Sequence, residues 1–194
     1  MKLPFKANDT KGILIAIEGT SRSGKTTFIN KYFSPIDDRF VLVSWNSFPK
    51  VHKVTNYFKN EKMLDKWSFC LIHLLDYVLT YNHIILPALQ QGKIVVTDRY
   101  FYTSWVRDTI RGISNNFLQE IYRDFIKPNY TFYLEVTEEI AIERYFKTHG
   151  SFGFYGSGND IFKDQTSRQE SFIKYRKLQI VQYRKLLKDN DFIV

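Results

Sequence analysis

The 194-residue sequence predicts an α/β fold of three layers, a central parallel sheet with helices on both faces. Three observations carry that expectation. Short apolar, β-branched runs recur along the chain, as strands buried on both faces do. Stretches with helical spacing alternate with them. The first run leads directly into Gly19-Thr20-Ser21-Arg22-Ser23-Gly24-Lys25-Thr26, a G-x-x-x-x-G-K-T phosphate-binding loop, whose place is between a strand and a helix.

Residues 1–12 read as a loosely held lead-in, and Ile13-Leu14-Ile15-Ala16-Ile17 as the first buried strand. The loop that follows must aim its backbone N–H groups at one anion. Gly19 and Gly24 let the main chain approach phosphate oxygens, and the next helix adds the partial positive charge of its N-terminus. Lys25 is placed to reach the β and γ phosphates, and the Thr26 hydroxyl to ligate Mg²⁺. The loop therefore implies a nucleoside triphosphate site. Its helix continues through Thr27 to Phe33 and is expected to end near Ser34-Pro35, where proline stops it.

Phe40-Val41-Leu42-Val43-Ser44-Trp45 reads as a second parallel strand. It empties into Asn46-Ser47-Phe48-Pro49-Lys50, at the sheet edge where α/β proteins bind ligands. A short helical stretch is expected over Val54–Phe58. The longest helical pattern spans Met63–Leu89, with apolar residues at helix spacing. Pro87 either kinks it or starts a separate final turn, and Gly92 can close it in a left-handed cap. Ile94-Val95-Val96-Thr97 is the third strand, which delivers Asp98-Arg99-Tyr100 to the same edge.

Helices are expected over Tyr102–Ile110 and Asn116–Ile126, with Lys127-Pro128-Asn129 breaking the pattern before a fourth strand, Tyr130–Val136. Thr137 followed by Glu138 and Glu139 reads as an N-cap with acids in the first turn, opening a helix to about Lys147. The next ten residues, 150–159, hold four glycines and are flanked by Arg144, Lys147, His149, Lys163 and Arg168. A mobile basic lid over a phosphate site, about residues 149–163, has this composition, and so does an idle surface loop. Residues 165–188 form a long basic helix, and Asp191–Val194 can be a last strand. With no internal repeat and no linker, residues 1–194 read as one domain.

Composition narrows the function classes. The chain shows no 18-residue apolar run, so no membrane span is expected, and Met1–Lys6 lacks the apolar stretch of a signal peptide. A single cysteine, Cys70, cannot make an internal disulfide, which agrees with a reducing, cytoplasmic compartment. The net charge of +8 admits a nucleic-acid partner. However, the basic residues are spread through the chain, and an enzyme that grips polyphosphates needs the same surplus. No cysteine–histidine cluster suggests zinc. His73 and His83 read as packing or surface residues, and the 17 Phe and 13 Tyr as core.

At the strand ends, Asp98 stands where a carboxylate holds or orients Mg²⁺ beside Thr26; the alternative is a cap for the next helix. Arg99 would project toward the acceptor, since a guanidinium grips phosphate in a planar, two-pronged manner. Arg22, inside the loop, can hold the transferring phosphoryl group as an arginine supplied in cis, or remain a solvated loop residue.

These residues together resemble the thymidylate kinase family, within the nucleoside monophosphate kinases. The resemblance rests on Ile17-Glu18-Gly19 through Thr26 with arginine in the loop, on Phe48-Pro49 and on Asp98-Arg99-Tyr100. Pro128-Asn129-Tyr130 through Val136, Arg144 before the lid, and Arg168-Gln169-Glu170-Ser171-Phe172 after it extend the likeness to nearly the whole chain. It implies a P-loop kinase fold, ATP and Mg²⁺ as cofactors, and transfer of the γ-phosphoryl group to a nucleoside monophosphate, with dTMP as the acceptor. It further implies Lys25, Arg22, Asp98 and Arg99 as the catalytic set. ATP falls to Gly19, Ser23, Gly24, Lys25, Thr26, Thr27 and Arg144. The acceptor falls to Glu18, Ser21, Phe48, Lys50, Leu74, Val78, Arg99 and Tyr100. A homodimer packed through helices is implied as well.

The chain departs from the family pattern at four places. Ser21 stands where an acid is usual, and Lys50-Val51 where the Phe-Pro loop usually reaches an arginine. An ungapped count puts the base-stacking phenylalanine on Leu74 and the base-reading arginine on Val78; a gap would move Tyr77 and Tyr81 there. An apolar pair cannot supply the hydrogen bonds that discriminate between bases. Two rival readings stay open. A deoxynucleoside kinase would need a carboxylate base to deprotonate a 5′-hydroxyl. A divergent relative would bind nucleotide without turnover, a use that does not require Lys25, Thr26, Asp98, Arg99 and Arg22 together.

Overall fold

In the computed structural model, which describes residues 3–33, 37–149, 153–162 and 167–194, the strands form one sheet of order β2-β3-β1-β4-β5. They are β1 (Ile13–Glu18), β2 (Phe40–Ser44), β3 (Ile94–Asp98), β4 (Tyr130–Tyr133) and β5 (Phe192–Ile193). Every pairing is parallel: Ile13 faces Ile94, Phe40 faces Ile94 from the other side, Ile15 faces Tyr130, and Thr131 faces Phe192. The apolar tail thus serves as the edge strand. β4 is shorter than expected and stops at Tyr133, and β2 ends one residue before Trp45.

Strand β1 is continuously apolar because both its faces are covered. Ile17 packs with Val96 and with Ile29 of α1 (Lys25–Tyr32) on one side. Leu14 and Ala16 join the main core on the other. That core is filled from α3 (Lys66–Thr80), α5 (Phe101–Ile110) and α8 (Arg168–Asp189), with Tyr77, Phe101, Val106 and Tyr183 among its members.

Helix α2 (Pro49–Asn60) is longer than expected and starts on Pro49, whose missing N–H is one the first turn would leave unpaired anyway. A capping box between Asp65 and Ser68 opens α3. The helix then widens into a π turn at Tyr81–Ile85 and continues as α4 (Leu86–Gln90). Pro87 is the physical reason. Without an N–H it cannot bond the carbonyl four residues back, and Leu86 N–H reaches Tyr81 O instead. Gly92, at φ 80°, ends the run as expected.

Lys66–Gln90 is one 25-residue helical run that by length and composition alone could cross a membrane, which corrects the expectation of no such stretch. Here its buried face, from Phe69 and Cys70 to Ile85 and Leu89, is spent on packing inside the protein.

Helix α6 (Asn115–Tyr122) ends earlier than expected, and α7 (Glu138–His149) opens on Thr137, whose hydroxyl accepts from Ile140 N–H at 3.5 Å. Ser167 and Glu170 cap α8 reciprocally. The expected helix stop at Ser34-Pro35, and Gly150–Phe152 and Lys163 of the lid, lie outside the described residues. Residues 153–162 run as turns anchored to the rest of the protein. The Tyr155 hydroxyl accepts from Leu64 N–H at 2.8 Å and donates to Leu64 O at 3.1 Å, and Arg111 pairs with Asp160 at 2.7 Å.

Candidate active site

The order of the strands separates the loops after β1 and β3. From β1 the chain leaves toward β2, and from β3 it crosses back over β1 to β4. Such a reversal opens a crevice at the carboxyl ends of the strands.

Between β1 and α1 the phosphate loop can be built only with glycine at two points. A Cβ on Gly19, at φ 141°, would meet Leu134 O at 2.5 Å and Ser23 Oγ at 2.7 Å. Gly24 takes φ 97° immediately before α1. The first turn of α1 carries no acid, so its positive end is left for an anion. Lys25 is buried, and its ammonium donates to Thr20 O at 2.8 Å and Ser23 Oγ at 3.2 Å, inside the cradle the loop forms. Burial, reinforced by the Arg99 charge, holds its pKa well below the usual lysine value, while Asp98 and Glu18 oppose this. An arriving polyanion would restore the lost solvation of that cation.

Thr26 Oγ1 donates to Asp98 Oδ2 at 2.8 Å. A hydroxyl and a carboxylate are hard oxygen donors of the kind Mg²⁺ takes. Among the described residues no cluster of three or more His, Cys, Asp or Glu could hold a metal by itself. The pair therefore suits an ion whose other ligands come from phosphates. Arg99 adopts φ 77°, and its guanidinium donates to Gly19 O at 2.8 Å and Thr103 Oγ1 at 3.1 Å, while the Tyr77 hydroxyl donates to Arg99 O at 3.0 Å.

Lys25, Thr26, Asp98, Arg99, Arg22 and Arg144 all line one cleft of 1120 Å³. Ser21, Ser23, Gly24 and Thr27 border it too. Arg22 takes a left-handed conformation at φ 67°, with its guanidinium 5.0 Å from the Tyr145 ring. Arg144 of α7 donates to Arg22 O at 3.2 Å, which ties the helix before the lid to the loop.

The remaining expected positions lie elsewhere. Glu18 is fully buried beneath the loop, where it accepts from Tyr100 N–H at 2.6 Å, Thr103 Oγ1 at 2.7 Å and the Tyr183 hydroxyl at 2.8 Å. Burial raises its pKa against these partners. Tyr100 turns its ring into the core and donates to Ile126 O at 2.7 Å. Phe48 caps α2 and donates its N–H to Asp76 Oδ1 at 2.8 Å, while Lys50 is exposed on the first turn of that helix. Leu74 and Val78 pack against the main core.

Sequence reasoning missed Arg176 of α8. It is buried and donates to Thr20 Oγ1, to Ser21 O at 3.0 Å and to Val136 O at 2.5 Å, bracing the loop from behind. Basic residues are frequent along α8, and only packing reveals which one turns inward.

The thymidylate kinase family profile matches residues 17–187. A protein described as probable thymidylate kinase 2 of Saccharolobus solfataricus is 35% identical over 181 residues, 92% of this chain and 84% of its own. The thymidylate kinase of Buchnera aphidicola is 34% identical over 147 residues, 69% of each chain. Among solved structures, thymidylate kinase from Ehrlichia chaffeensis superposes with a TM-score of 0.65 at 20% identity, over 94% of this chain and 93% of that one.

Proposed function

This chain belongs to the thymidylate kinase family and is a phosphotransferase, and from that premise we propose that it transfers the γ-phosphoryl group of ATP to dTMP. The observation that carries the reading is the meeting of Lys25 and Arg99 on one cleft, with the Thr26–Asp98 pair between α1 and β3. An acceptor phosphate oxygen attacks the γ phosphorus in line; the bond from that phosphorus to the β–γ bridging oxygen breaks, and ADP leaves. The acceptor is already an anion, so cations, not a base, lower the barrier.

Lys25 would exchange Thr20 O and Ser23 Oγ for the β and γ phosphate oxygens. Gly19, Ser23, Gly24 and Thr27 would turn their backbone N–H groups to the same anion, Ser23 giving up its 3.4 Å bond to Thr20 O. Arg22 holds the transferring group, Arg144 lies over ATP, and Arg99 grips the acceptor phosphate. Thr26 and Asp98 would hold a Mg²⁺ ion, which would supply positive charge to offset that of the polyphosphate. Ser21, Phe48 and Lys50 border the acceptor side, whereas Glu18 and Tyr100 act from beneath by holding α5 in place. Leu74 and Val78 contribute to that side only by packing.

Residues 1–194 act as one domain, with a lid at about 149–163. The exposed stripe Trp67, Leu71 and Leu75, four residues apart along α3, supports a homodimer packed through helices. The buried, unpaired Cys70 supports a cytoplasmic setting. No nucleic-acid partner is needed to account for the charge.

A deoxynucleoside kinase would require Glu18 as its base, yet three donors already saturate that carboxylate away from the cleft. Assays of ATP with dTMP, dUMP and thymidine side by side test the reading. Fast transfer to dTMP is expected. Transfer to thymidine alone would replace it with the nucleoside kinase, and no transfer with a binding protein.

A further inference from the structure

The donor cleft extends from Asp98 toward β4 and α7, so an acceptor must come from the opposite side, where β2 ends. There the Trp45 backbone N–H donates to Asp98 O at 3.0 Å, and its ring gathers His73, Arg107 and Lys59, whose ammonium lies 5.6 Å from the indole centroid. His73 of α3 stacks on the indole at 4.6 Å with 4° between the planes. The Arg107 guanidinium of α5 lies 4.7 Å from the indole centroid. Burial presses the pKa of His73 down, and the Lys59 charge, then those of Arg107 and Arg111, act in the same direction.

His73 Nδ1 lies 2.7 Å from Phe69 O. A carbonyl only accepts, so Nδ1 carries the hydrogen and Nε2 presents a bare lone pair. That Nε2 is buried without a hydrogen-bond partner among the described residues, and so is Arg107 Nε. Native proteins rarely leave such atoms unmet. Here an unmet acceptor and an unmet donor sit against one aromatic ring, beside the strand end that carries Asp98.

We propose that His73 and Arg107 read the base of the acceptor. His73 Nε2 accepts from the ring N3–H of thymine or uracil, and Arg107 Nε–H donates to the neighbouring carbonyl oxygen. This rests on the functional reading above and supplies what Leu74 and Val78 lack. Residue 73 lies one position from the ungapped count, and Arg107 comes from another helix entirely.

The test compares dTMP with its N3-methyl derivative as acceptors for the full chain, at saturating ATP. The methyl group removes the donated hydrogen, and a site built around that bond should lower kcat/KM by about 100-fold or more. His73→Phe keeps a flat ring but no lone pair, and is expected to raise the KM for dTMP about tenfold while discrimination shrinks to about threefold. Arg107→Met should raise the same KM, and the KM for ATP should stay unchanged in both. His73→Gln, whose amide oxygen restores an acceptor, should recover discrimination. A wild-type chain that uses both acceptors equally overturns the inference without any variant, as do variants that keep wild-type KM and discrimination. Absence of transfer from ATP to dTMP in the wild type overturns the functional reading itself, and the inference with it.

Discussion

Thr26 and Asp98 face each other across the sheet edge, hydroxyl to carboxylate at 2.8 Å, joining the first turn of α1 to the end of β3. Both side chains line the open cleft. What they share is a position from which two oxygens can bind one cation. Asp98→Asn keeps a hydrogen-bonding group but removes the charge. It is expected to lower kcat by about 100-fold and to raise the Mg²⁺ concentration for half-maximal rate, measured in a magnesium titration at saturating ATP. Thr26→Ser should retain most activity and Thr26→Val should not.

Arg22 is held in a left-handed conformation, with Tyr145 against its guanidinium and Arg144 on its carbonyl. A residue fixed in this way over the cleft is expected to act on the transferring group and not on binding. Arg22→Met should cost about 10³-fold in kcat, with both KM values within about threefold of wild type, as initial-rate kinetics would reveal. An equal rise in the KM for ATP would assign it to nucleotide binding instead.

Glu18 concentrates three donors on one buried carboxylate, and Thr103, one of them, also accepts from Arg99. Glu18→Ala strands the Tyr100 N–H and two hydroxyls in the core, a loss of about 3 kcal/mol in urea unfolding. Glu18→Gln should fall within about 1 kcal/mol of wild type, because an amide nitrogen can donate to both hydroxyls.

Asp108 is buried against Arg111, Arg107 and the Cys70 thiol, and burial raises its pKa from 3.8 to about 6. A raised folded-state pKa means that the fold binds the proton more tightly than the unfolded chain. The stability from this group is complete below pH 3.8 and disappears as pH rises through about 6. Asp108→Asn should therefore flatten the pH dependence of unfolding free energy between these values, read from urea titrations. An unchanged slope would place the titration elsewhere.

Much of this architecture was legible in the chain because its signals are local. The continuous apolarity of Ile13–Ile17 and Ile94–Thr97 marks strands covered on both faces. Gly19 and Gly24 sit where only glycine fits, and Thr137 and Gly92 mark helix ends by their own chemistry. The extent of α2 was underestimated because its start depends on Pro49 at N1, not on apolar spacing. The π turn before Pro87 was not foreseen either, since a missing N–H can be absorbed in several ways.

The sequence by itself determined the fold class, the phosphate loop and the presence of Asp98 and Arg99 at a strand end. Each of these rests on neighbours within a few positions of one another along the chain. Which distant side chains converge was decided only by tertiary structure. Glu18 looks like a site carboxylate until Tyr100, Thr103 and Tyr183 surround it, and Arg176 and Arg107 look like surface cations until their helices pack. Helical spacing states which residues share a face. What that face meets depends on the order of the strands and on the helices laid across them.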